Sequence, residues 1–262
     1  MILGINGIIA SSISGVDPDA AAFFARVTAA GGTLSNTEKT AVNTLVLSLK
    51  ANSLWTPMKA IYPMVGASAA ACAQNLKSAS FTGVFNGGVT YASTGVTFNG
   101  TTGYLDTNLI PGITMGGSSA SLGFMTNIAN NQAGIEMGVQ SATDGMSLWT
   151  QFSSSNVSRI GRGNDANTGL PFTSAGRFYG SRTTSTLQTL YRNGTSVATG
   201  VGAVSGLDSV YKIILGAINL SGTAAIFVNG RYTFSFIGDG LSGTDITNLD
   251  SAIVTFNTSL SR

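Results

Sequence analysis

The stretch "GVTFNGTTGYLDT" (residues 95–107) holds two short runs of alternating apolar residues around a polar turn. Val96 and Phe98 precede the turn, the Asn-Gly pair at 99–100 opens it, and Tyr104 follows it. Alternation with a period of two is typical of a strand with one buried face. Asn-Gly favours a two-residue hairpin, because both residues tolerate positive φ angles. The stretch therefore predicts an early pair of strands in a β-rich domain.

The same pattern continues through the later part of the chain, where glycine is frequent and short strands alternate with turns. Three more Asn-Gly pairs occur there, at 86–87, 193–194 and 229–230. Two segments predict hairpins directly, "TLYRNGTSVA" (189–198) and "AAIFVNGRYTF" (224–234). Many short strands separated by such turns are typical of an antiparallel β-sandwich.

The first third of the chain predicts helices instead. Asp17-Pro18 combines a capping carboxylate with a proline suited to the first helical position, and Gly31-Gly32 marks the end of that helix. A second start, "SNTE" (35–38), has the form of a capping box. Apolar residues on one helical face follow it: Val42, Leu45, Val46 and Leu49. Residues 58–66 predict an extended segment, because Pro63 disfavours helix at the residue before it, and "GASAAACAQ" (66–74) predicts a linker.

The C-terminal segment predicts another helix. Ser242 and Thr244 are capping candidates close to Asp245. Apolar residues then recur at spacings of three and four, as Ile246, Leu249, Ile253, Phe256 and Leu260. Such a stripe needs an apolar partner, and we expect it to pack on the sandwich of the same chain.

Charged residues are scarce, with 13 Lys and Arg against 11 Asp and Glu, whereas 43% of the residues are hydrophobic. The chain can bury a full core, but Ser, Thr, Asn and Gly must make its surface soluble. This composition suits extracellular or virion β proteins better than cytoplasmic enzymes. The formal net charge of +2 gives no general attraction to nucleic acid. No apolar run reaches the roughly 18 residues of a membrane span.

The residue content also excludes several catalytic sites. The chain has no histidine and one cysteine, Cys72, so it has no Ser-His-Asp triad, no Cys-His pair, no His- or multi-Cys zinc site and no internal disulfide. Glycoside hydrolysis by two carboxylates remains the least favoured alternative. Glu38 is explained as a capping residue, and Glu136 lacks partner acids at alternating positions on its strand. We therefore expect no enzymatic activity.

Carbohydrate binding uses an aromatic ring for the apolar face of a sugar and polar groups for its hydroxyls. Trp149, Tyr179 and Tyr191 are the aromatic candidates in this sequence, and Asp165 is the polar candidate. A core position is the alternative for Trp149, because aromatic residues of sandwiches often lie inside.

The loop "GRGNDANTG" (161–169) brings together the three oxygen-bearing side chains of Asn164, Asp165 and Asn167. Calcium is bound by several such oxygens. A polar turn whose side chains bind their own backbone is the favoured interpretation. We expect no cofactor, with calcium as the alternative.

The N-terminal arm, residues 1–16, is apolar and lacks the basic start of a signal peptide. It predicts docking onto a partner through five large aliphatic residues: Ile2, Leu3, Ile5, Ile8 and Ile9. The predicted organisation is this arm, a helical leader over 17–77, and a β-sandwich with its terminal helix over 78–262.

Several phrases in this order resemble a concanavalin A-like (laminin-G-like) jelly-roll domain. These are "GVTFNGTTGYLDT", "LYRNGTSVATG", "KIILGAIN" and "RYTFSFIGDGLSGTDITNLDSAIVTF". The resemblance covers roughly residues 78–262. It implies a mainly β protein with an antiparallel sandwich, preceded here by a helical segment and followed by a C-terminal helix.

A second resemblance covers the front and the tail. "EKTAVNTLVLSLKANSLWTPMKAIYPMVG" and "AIVTFNTSLSR" are similar to phrases of bacteriophage virion proteins that join a short helical leader to such a sandwich. It implies a non-enzymatic decoration, head-fibre or tail-associated protein of the virion, assembled in the bacterial host cytoplasm. Its expected partners are other virion proteins and further copies of itself, with no nucleic acid and no membrane insertion. The alternative function is a carbohydrate-binding or receptor-binding module that contacts a host surface glycan.

Overall fold

The computed structural model describes residues 15–262, and the predicted docking residues Ile2, Leu3, Ile5, Ile8 and Ile9 lie outside the described residues. The helices are α1 (Pro18–Ala29), α2 (Asn36–Ala51), α3 (Ala69–Cys72), α4 (Pro111–Thr114) and α5 (Gly243–Ser259). The strands are β1 (Met58–Tyr62), β2 (Val84–Asn86), β3 (Val89–Ala92), β4 (Gly95–Phe98), β5 (Tyr104–Asp106), β6 (Ala120–Ile128), β7 (Met137–Gln140), β8 (Gly145–Phe152), β9 (Ser155–Ile160), β10 (Ala166–Asn167), β11 (Gly176–Thr184), β12 (Leu187–Arg192), β13 (Thr195–Val201), β14 (Ile214–Leu215), β15 (Ile218–Leu220), β16 (Thr223–Ala225) and β17 (Arg231–Gly238).

The strands form two sheets. Sheet A has the order β13-β12-β11-β6-β17-β4-β3, and β1 pairs with β17 beside this path. Sheet B has the order β10-β9-β8-β7-β14-β5-β2, and β15 joins β7 and β16. Every pair in the described residues is antiparallel except β15 with β7. The predicted mainly β sandwich with N-terminal helices and a C-terminal helix is confirmed.

The two faces of sheet A border separate apolar cores, and a register shift between Tyr232 and Phe234 moves the side chains of β17 from one face to the other. On β17, Tyr232 and Ile237 enter the core between the two sheets. Phe234 and Phe236 enter a second core, on the other face of sheet A, which helices α1, α2 and α5 cover. The protein therefore has three layers: helices, sheet A and sheet B. The outer face of sheet B has its own small apolar cluster.

The predicted helix starts match the structure. Asp17 accepts a hydrogen bond from the backbone N–H of Asp19 and caps α1. Ser35 and Glu38 form the capping box of α2. Ser242, rather than Thr244, caps α5, in a second box with Asp245. The apolar stripe of α5 packs on sheet A and α2, as expected from its spacing.

Only one of the four Asn-Gly pairs forms the predicted two-residue hairpin. Asn193 and Gly194 both have positive φ, 50° and 77°, and they join the antiparallel strands β12 and β13. The "AAIFVNGRYTF" hairpin prediction is wrong, because β16 belongs to sheet B and β17 to sheet A. Neither residue of its Asn-Gly pair has positive φ, which a type I′ turn requires.

The opening stretch also crosses between sheets, with β4 in sheet A and β5 in sheet B. Asn99 holds the turn in place, because its Oδ1 accepts hydrogen bonds from the backbone N–H groups of Thr101, Thr102 and Gly103 at 2.9–3.0 Å. Asp106 pairs with Lys212 at 3.2 Å. This turn has a structural role. The two predicted strands, β4 and β5, both form, but they do not pair with each other.

The predicted linker at 66–74 is wrong, because this segment is packed into the fold. It contains α3, and Ala71 and Cys72 are fully buried. The Cys72 thiol donates to the Val65 carbonyl at 3.3 Å, and burial raises its pKa to about 12. The segment before it contributes β1 to sheet A, so the predicted leader shares a sheet with the sandwich.

None of the helices in residues 15–262 combines the length and the hydropathy that crossing a membrane requires.

Candidate functional site

Three neighbouring strands of sheet B carry the candidate site on the outer face. In the β8–β9 ladder Trp149 lies opposite Val157, and Val157 lies opposite Asn167 of β10. Leu148 enters the core between the sheets, so its neighbour Trp149 takes the outer face. The pleat therefore places Trp149, Val157 and Asn167 side by side.

An apolar floor surrounds Trp149. Its buried members are Ile135, Trp149, Val157 and Ile218, and the half-buried Phe152, Leu220 and Ile226 pack against them. The Phe152 ring meets the Trp149 ring edge-on, with centroids 6.3 Å apart. Together with polar side chains, these residues line a concavity of about 400 Å³.

A network of three polar side chains borders the floor. Arg159 donates from Nε and Nη2 to the carboxylate of Asp165 at 2.7–3.1 Å. Its Nη1 donates to Gln140 Oε1 at 2.6 Å. The guanidinium carbon lies 5.2 Å from the centroid of the Trp149 ring, within the range of a cation–π contact. The guanidinium is therefore fixed on one face by the indole and at its edges by Asp165 and Gln140.

This combination suits a ligand with one apolar and one polar side. Apolar and aromatic lining with a few fixed polar groups is the usual composition of a small-molecule site. A sugar ring has such sides, with C–H groups on one face and hydroxyls at its edge. Phe152 and Leu220 can contact the first, whereas Asp165, Arg159 and Asn167 can bind the second.

The structure brings together two of the four predicted carbohydrate-binding residues. Trp149 and Asp165 line the same concavity, with Asn167 beside them. Trp149 is only 6% exposed, so it forms the floor and the more accessible ring is that of Phe152.

Tyr179 and Tyr191 lie elsewhere, in the core between sheet A and the helices. Tyr179 is fully buried and donates from its hydroxyl to Asp250 of α5 at 2.7 Å, and Tyr191 is 8% exposed. The helical layer covers this face of sheet A, so neither ring is available to a sugar there.

The side chains of the three candidate calcium ligands already have protein partners. Asp165 uses both carboxylate oxygens on Arg159, and this guanidinium would repel a cation. Asn167 Oδ1 accepts from the Gly169 N–H, and the Asn164 side chain donates to the Ala203 carbonyl. Within residues 15–262 no three His, Cys, Asp or Glu side chains are grouped as metal ligands. The local turn interpretation describes these contacts better.

Glu136, the residue proposed for hydrolysis, is closed off from solvent. Glu136 is only 1% exposed, and its carboxylate accepts hydrogen bonds from the Thr150 N–H at 2.9 Å and from the Thr150 hydroxyl. Burial raises the pKa of this carboxyl to about 7, although the bonds from Thr150 act in the opposite direction. A buried carboxyl in this position cannot contact a polymeric substrate.

Another concavity, of about 410 Å³, lies between α2 and α5. Its lining is mainly Thr, Ser and Asn, and its aromatic residue, Phe256, is 2% exposed. It has no charged side chain among its described lining residues. The site on sheet B is therefore the better candidate.

Phe152, Arg159 and Gln140 were not predicted from the sequence. Phe152 and Trp149 are three residues apart, which strict alternation would place on opposite faces. The β8–β9 ladder shifts register between them, so both reach the outer face. The available signal was the run "SLWTQFSSS" (147–155), where an aromatic residue directly precedes an exposed serine turn.

No protein-family model matches this chain, and no curated protein matches it. Solved structures with a similar fold do exist. One is domain 4 of AbnA, a GH43 extracellular arabinanase from Geobacillus stearothermophilus, in complex with arabinotriose. It has a TM-score of 0.52 and 16% identity, over 74% of this chain and 98% of that domain.

A second similar structure is botulinum neurotoxin type C, whose cell entry is described as dependent on interaction with two ganglioside molecules. The TM-score is 0.51 at 11% identity, over 78% of this chain. This chain spans about half of that toxin chain, 53% of its length. At these identities the comparisons establish the class of fold, a β-sandwich.

Proposed function

We propose that this protein is a carbohydrate-binding module and that it binds glycan on the outer face of sheet B. The observation that carries the proposal is the apolar floor of Trp149 and Phe152 beside the fixed pair of Arg159 and Asp165. An aromatic floor and a hydrogen-bonding edge are the two features that bind a sugar ring, and both line the same concavity.

Two similar folds support this proposal. The AbnA domain is in complex with arabinotriose, and the toxin is described as interacting with gangliosides. Both ligands are glycans or carry them. The similarity concerns the sandwich, and the residues proposed here come from the geometry of this chain.

The proposed activity is binding without cleavage and without a metal ion. Glu136 is buried, and Asp165 is occupied by Arg159. Glycoside hydrolysis uses two carboxyl groups on opposite sides of the scissile bond. Among the residues described by the structure, the lining of the concavity contains one carboxylate, that of Asp165.

A glycan array followed by calorimetry tests the proposal. The wild type should bind one glycan class, and Phe152→Ala should weaken that binding about fivefold, because a stacked ring contributes of the order of 1 kcal/mol. Phe85→Ala is the matched control, since Phe85 is also half-buried on sheet B and packs edge-on against Tyr91 at 5.0 Å. An array without any bound glycan, or equal losses in both variants, would contradict the proposal.

We also propose that the module is displayed on a bacteriophage particle. The resemblance of the leader and the tail to virion phrases supports this, as does the charge-poor composition. Because α1 and α2 bury their apolar sides within the chain, the proposed attachment falls to residues 1–16 rather than to the helices.

Deletion of residues 1–14 tests the display proposal. The shortened protein should stay folded, because the Asp17 cap and all of α1 remain, and it should be lost from particles. Circular dichroism checks the fold, and mass spectrometry of purified particles checks incorporation. Normal incorporation of the folded deletion variant would refute the proposal.

A further inference from the structure

The concavity on sheet B contains one cation and one anion among its described lining residues, Arg159 and Asp165. They are bonded to each other through two nitrogens of the guanidinium, so their charges cancel at the site. Their side chains are 24% and 20% exposed, which places the pair partly out of water. All other lining residues are apolar or uncharged.

This neutral balance disfavours an acidic ligand. A sugar carboxylate that approached Arg159 would also approach the Asp165 carboxylate, and like charges repel. Asp165 already neutralises the Arg159 charge, so a second carboxylate at the free N–H groups would lose its water for little net attraction. Partly buried charges are costly without a partner.

An uncharged sugar meets no such conflict. Each of the three guanidinium nitrogens of Arg159 has a protein partner, which leaves one N–H on each terminal nitrogen. These two groups can donate to hydroxyl oxygens, while Asp165 accepts from hydroxyl protons. Hydroxyls serve as donor and acceptor at once, so they match a fixed donor–acceptor pair.

We infer that the site selects uncharged saccharide chains and discriminates against acidic ones, through the pairing of Arg159 with Asp165. The inference rests on the proposed function, because it names the ligand class of the same site. Phe152 supplies the apolar contact, and the ion pair supplies the selectivity.

Neutral oligosaccharides and oligosaccharides with uronic or sialic acid, matched in length, test the inference by calorimetry. The wild type should prefer the neutral set by at least about tenfold. Asp165→Asn removes the carboxylate and frees the Arg159 charge. This variant should lose about tenfold affinity for the neutral set and gain a similar factor for the acidic set.

Asp106→Asn is the control, because Asp106 also pairs with a cation on sheet B, at a distant strand. It should leave both affinities unchanged. If Asp165→Asn does not fold, the salt dependence of the wild type decides, since binding of an uncharged ligand should not weaken as salt rises.

A wild type that prefers acidic chains overturns the inference while the proposed function stands. Neutral binding that is unchanged in the folded Asp165→Asn protein also overturns it. If neither set binds and the array shows no other glycan, the proposed function fails and the inference fails with it.

Discussion

Asp250 of α5 accepts two hydrogen bonds from the guanidinium of Arg177 on β11, at 2.5 and 3.0 Å. The Tyr179 hydroxyl donates to the same carboxylate. The contact joins the helical layer to sheet A, and only 12% of the Asp250 side chain and 20% of the Arg177 side chain are exposed. Burial and the adjacent carboxylate raise the pKa of Tyr179 well above its ordinary value. This network shows why a polar tyrosine can lie fully inside the protein.

Replacement of Arg177 by alanine should lower the free energy of unfolding by about 3 kcal/mol, because it leaves the Asp250 charge buried without its partner. Urea denaturation followed by tryptophan fluorescence measures the loss. Lys212→Ala, which breaks the more exposed pair with Asp106, should cost less than about 1 kcal/mol. Equal losses in the two variants would show that the buried pair has no special role.

Alanine substitutions at two glycines with positive φ distinguish the cost of backbone strain from the cost of a steric clash. Replacement of Gly194 (φ 77°) or Gly169 (φ 69°) by alanine should lower the free energy of unfolding by about 1 kcal/mol, because a Cβ disfavours this backbone conformation. A Cβ at Gly194 would also meet the Asp250 carboxylate at 3.1 Å, whereas one at Gly169 meets nothing within 4 Å. Thermal unfolding should therefore show the larger loss for Gly194→Ala. The reverse order would refute this account of the β12–β13 turn.

Glu136 should make stability depend on pH. Its carboxyl has a pKa of about 7 in the folded protein and an ordinary value of 4.5. The unfolded chain therefore releases this proton first as pH rises. The contribution of Glu136 to the free energy of unfolding is fully present below pH 4.5 and decreases between pH 4.5 and 7. Above pH 7 the protein is less stable by about 3 kcal/mol than below pH 4.5.

Glu136→Gln removes the titrating group and should abolish this part of the pH dependence in denaturation curves. The chain has two glutamates, so carboxyl-labelled glutamate gives two NMR signals, and Glu38→Gln assigns them. A Glu136 signal that titrates with an ordinary pKa near 4.5 would contradict the expectation.

Arg262 closes the fold at the C-terminal end of α5. Its guanidinium donates to the carbonyls of Pro63 and Met64 at 2.6 and 2.7 Å, and also to the Thr233 carbonyl. Burial lowers its pKa to about 10. Arg262→Met keeps much of the apolar volume but leaves these carbonyls without a donor.

We expect Arg262→Met to cost about 2–3 kcal/mol of unfolding free energy, since each buried acceptor left unpaired costs of the order of 1 kcal/mol. Lys39→Met, at an exposed position of α2, is the control and should change stability by less than about 0.5 kcal/mol. Hydrogen exchange of β1 should become faster in the Arg262 variant alone.

The sequence predicted those parts of the fold that depend on local rules. The capping boxes at Ser35 and Ser242 involve residues three apart, and the stripe of α5 follows from helical periodicity. The Asn-Gly pairs show where prediction from local sequence fails. The same dipeptide forms a type I′ turn at 193–194 and a passage between sheets at 99–100, because the choice depends on which distant strand supplies the ladder.

The candidate site was predictable only in part, because the local sequence does not determine which strands pair. Trp149 and Asp165 were identified by residue type, but their side of the sheet depends on the register of β8, β9 and β10. Tyr179 and Tyr191 have the same residue type and belong to the other sheet, beneath a helix that lies far along the chain. Distinguishing the two pairs requires knowledge of which sheet the helices cover.

The position of β1 has a consequence for how this fold can be transferred between proteins. One edge of β17 is shared, with β4 pairing at Arg231 and Tyr232 and β1 pairing from Ser235 to Gly238. A gene fragment that started at residue 78 would encode a sandwich with half of that edge open. It would also lack α1 and α2, which share with α5 the cover over Phe234 and Phe236. A fragment that keeps this edge paired and the helical layer whole therefore begins at the Asp17 cap and carries the helical leader with it.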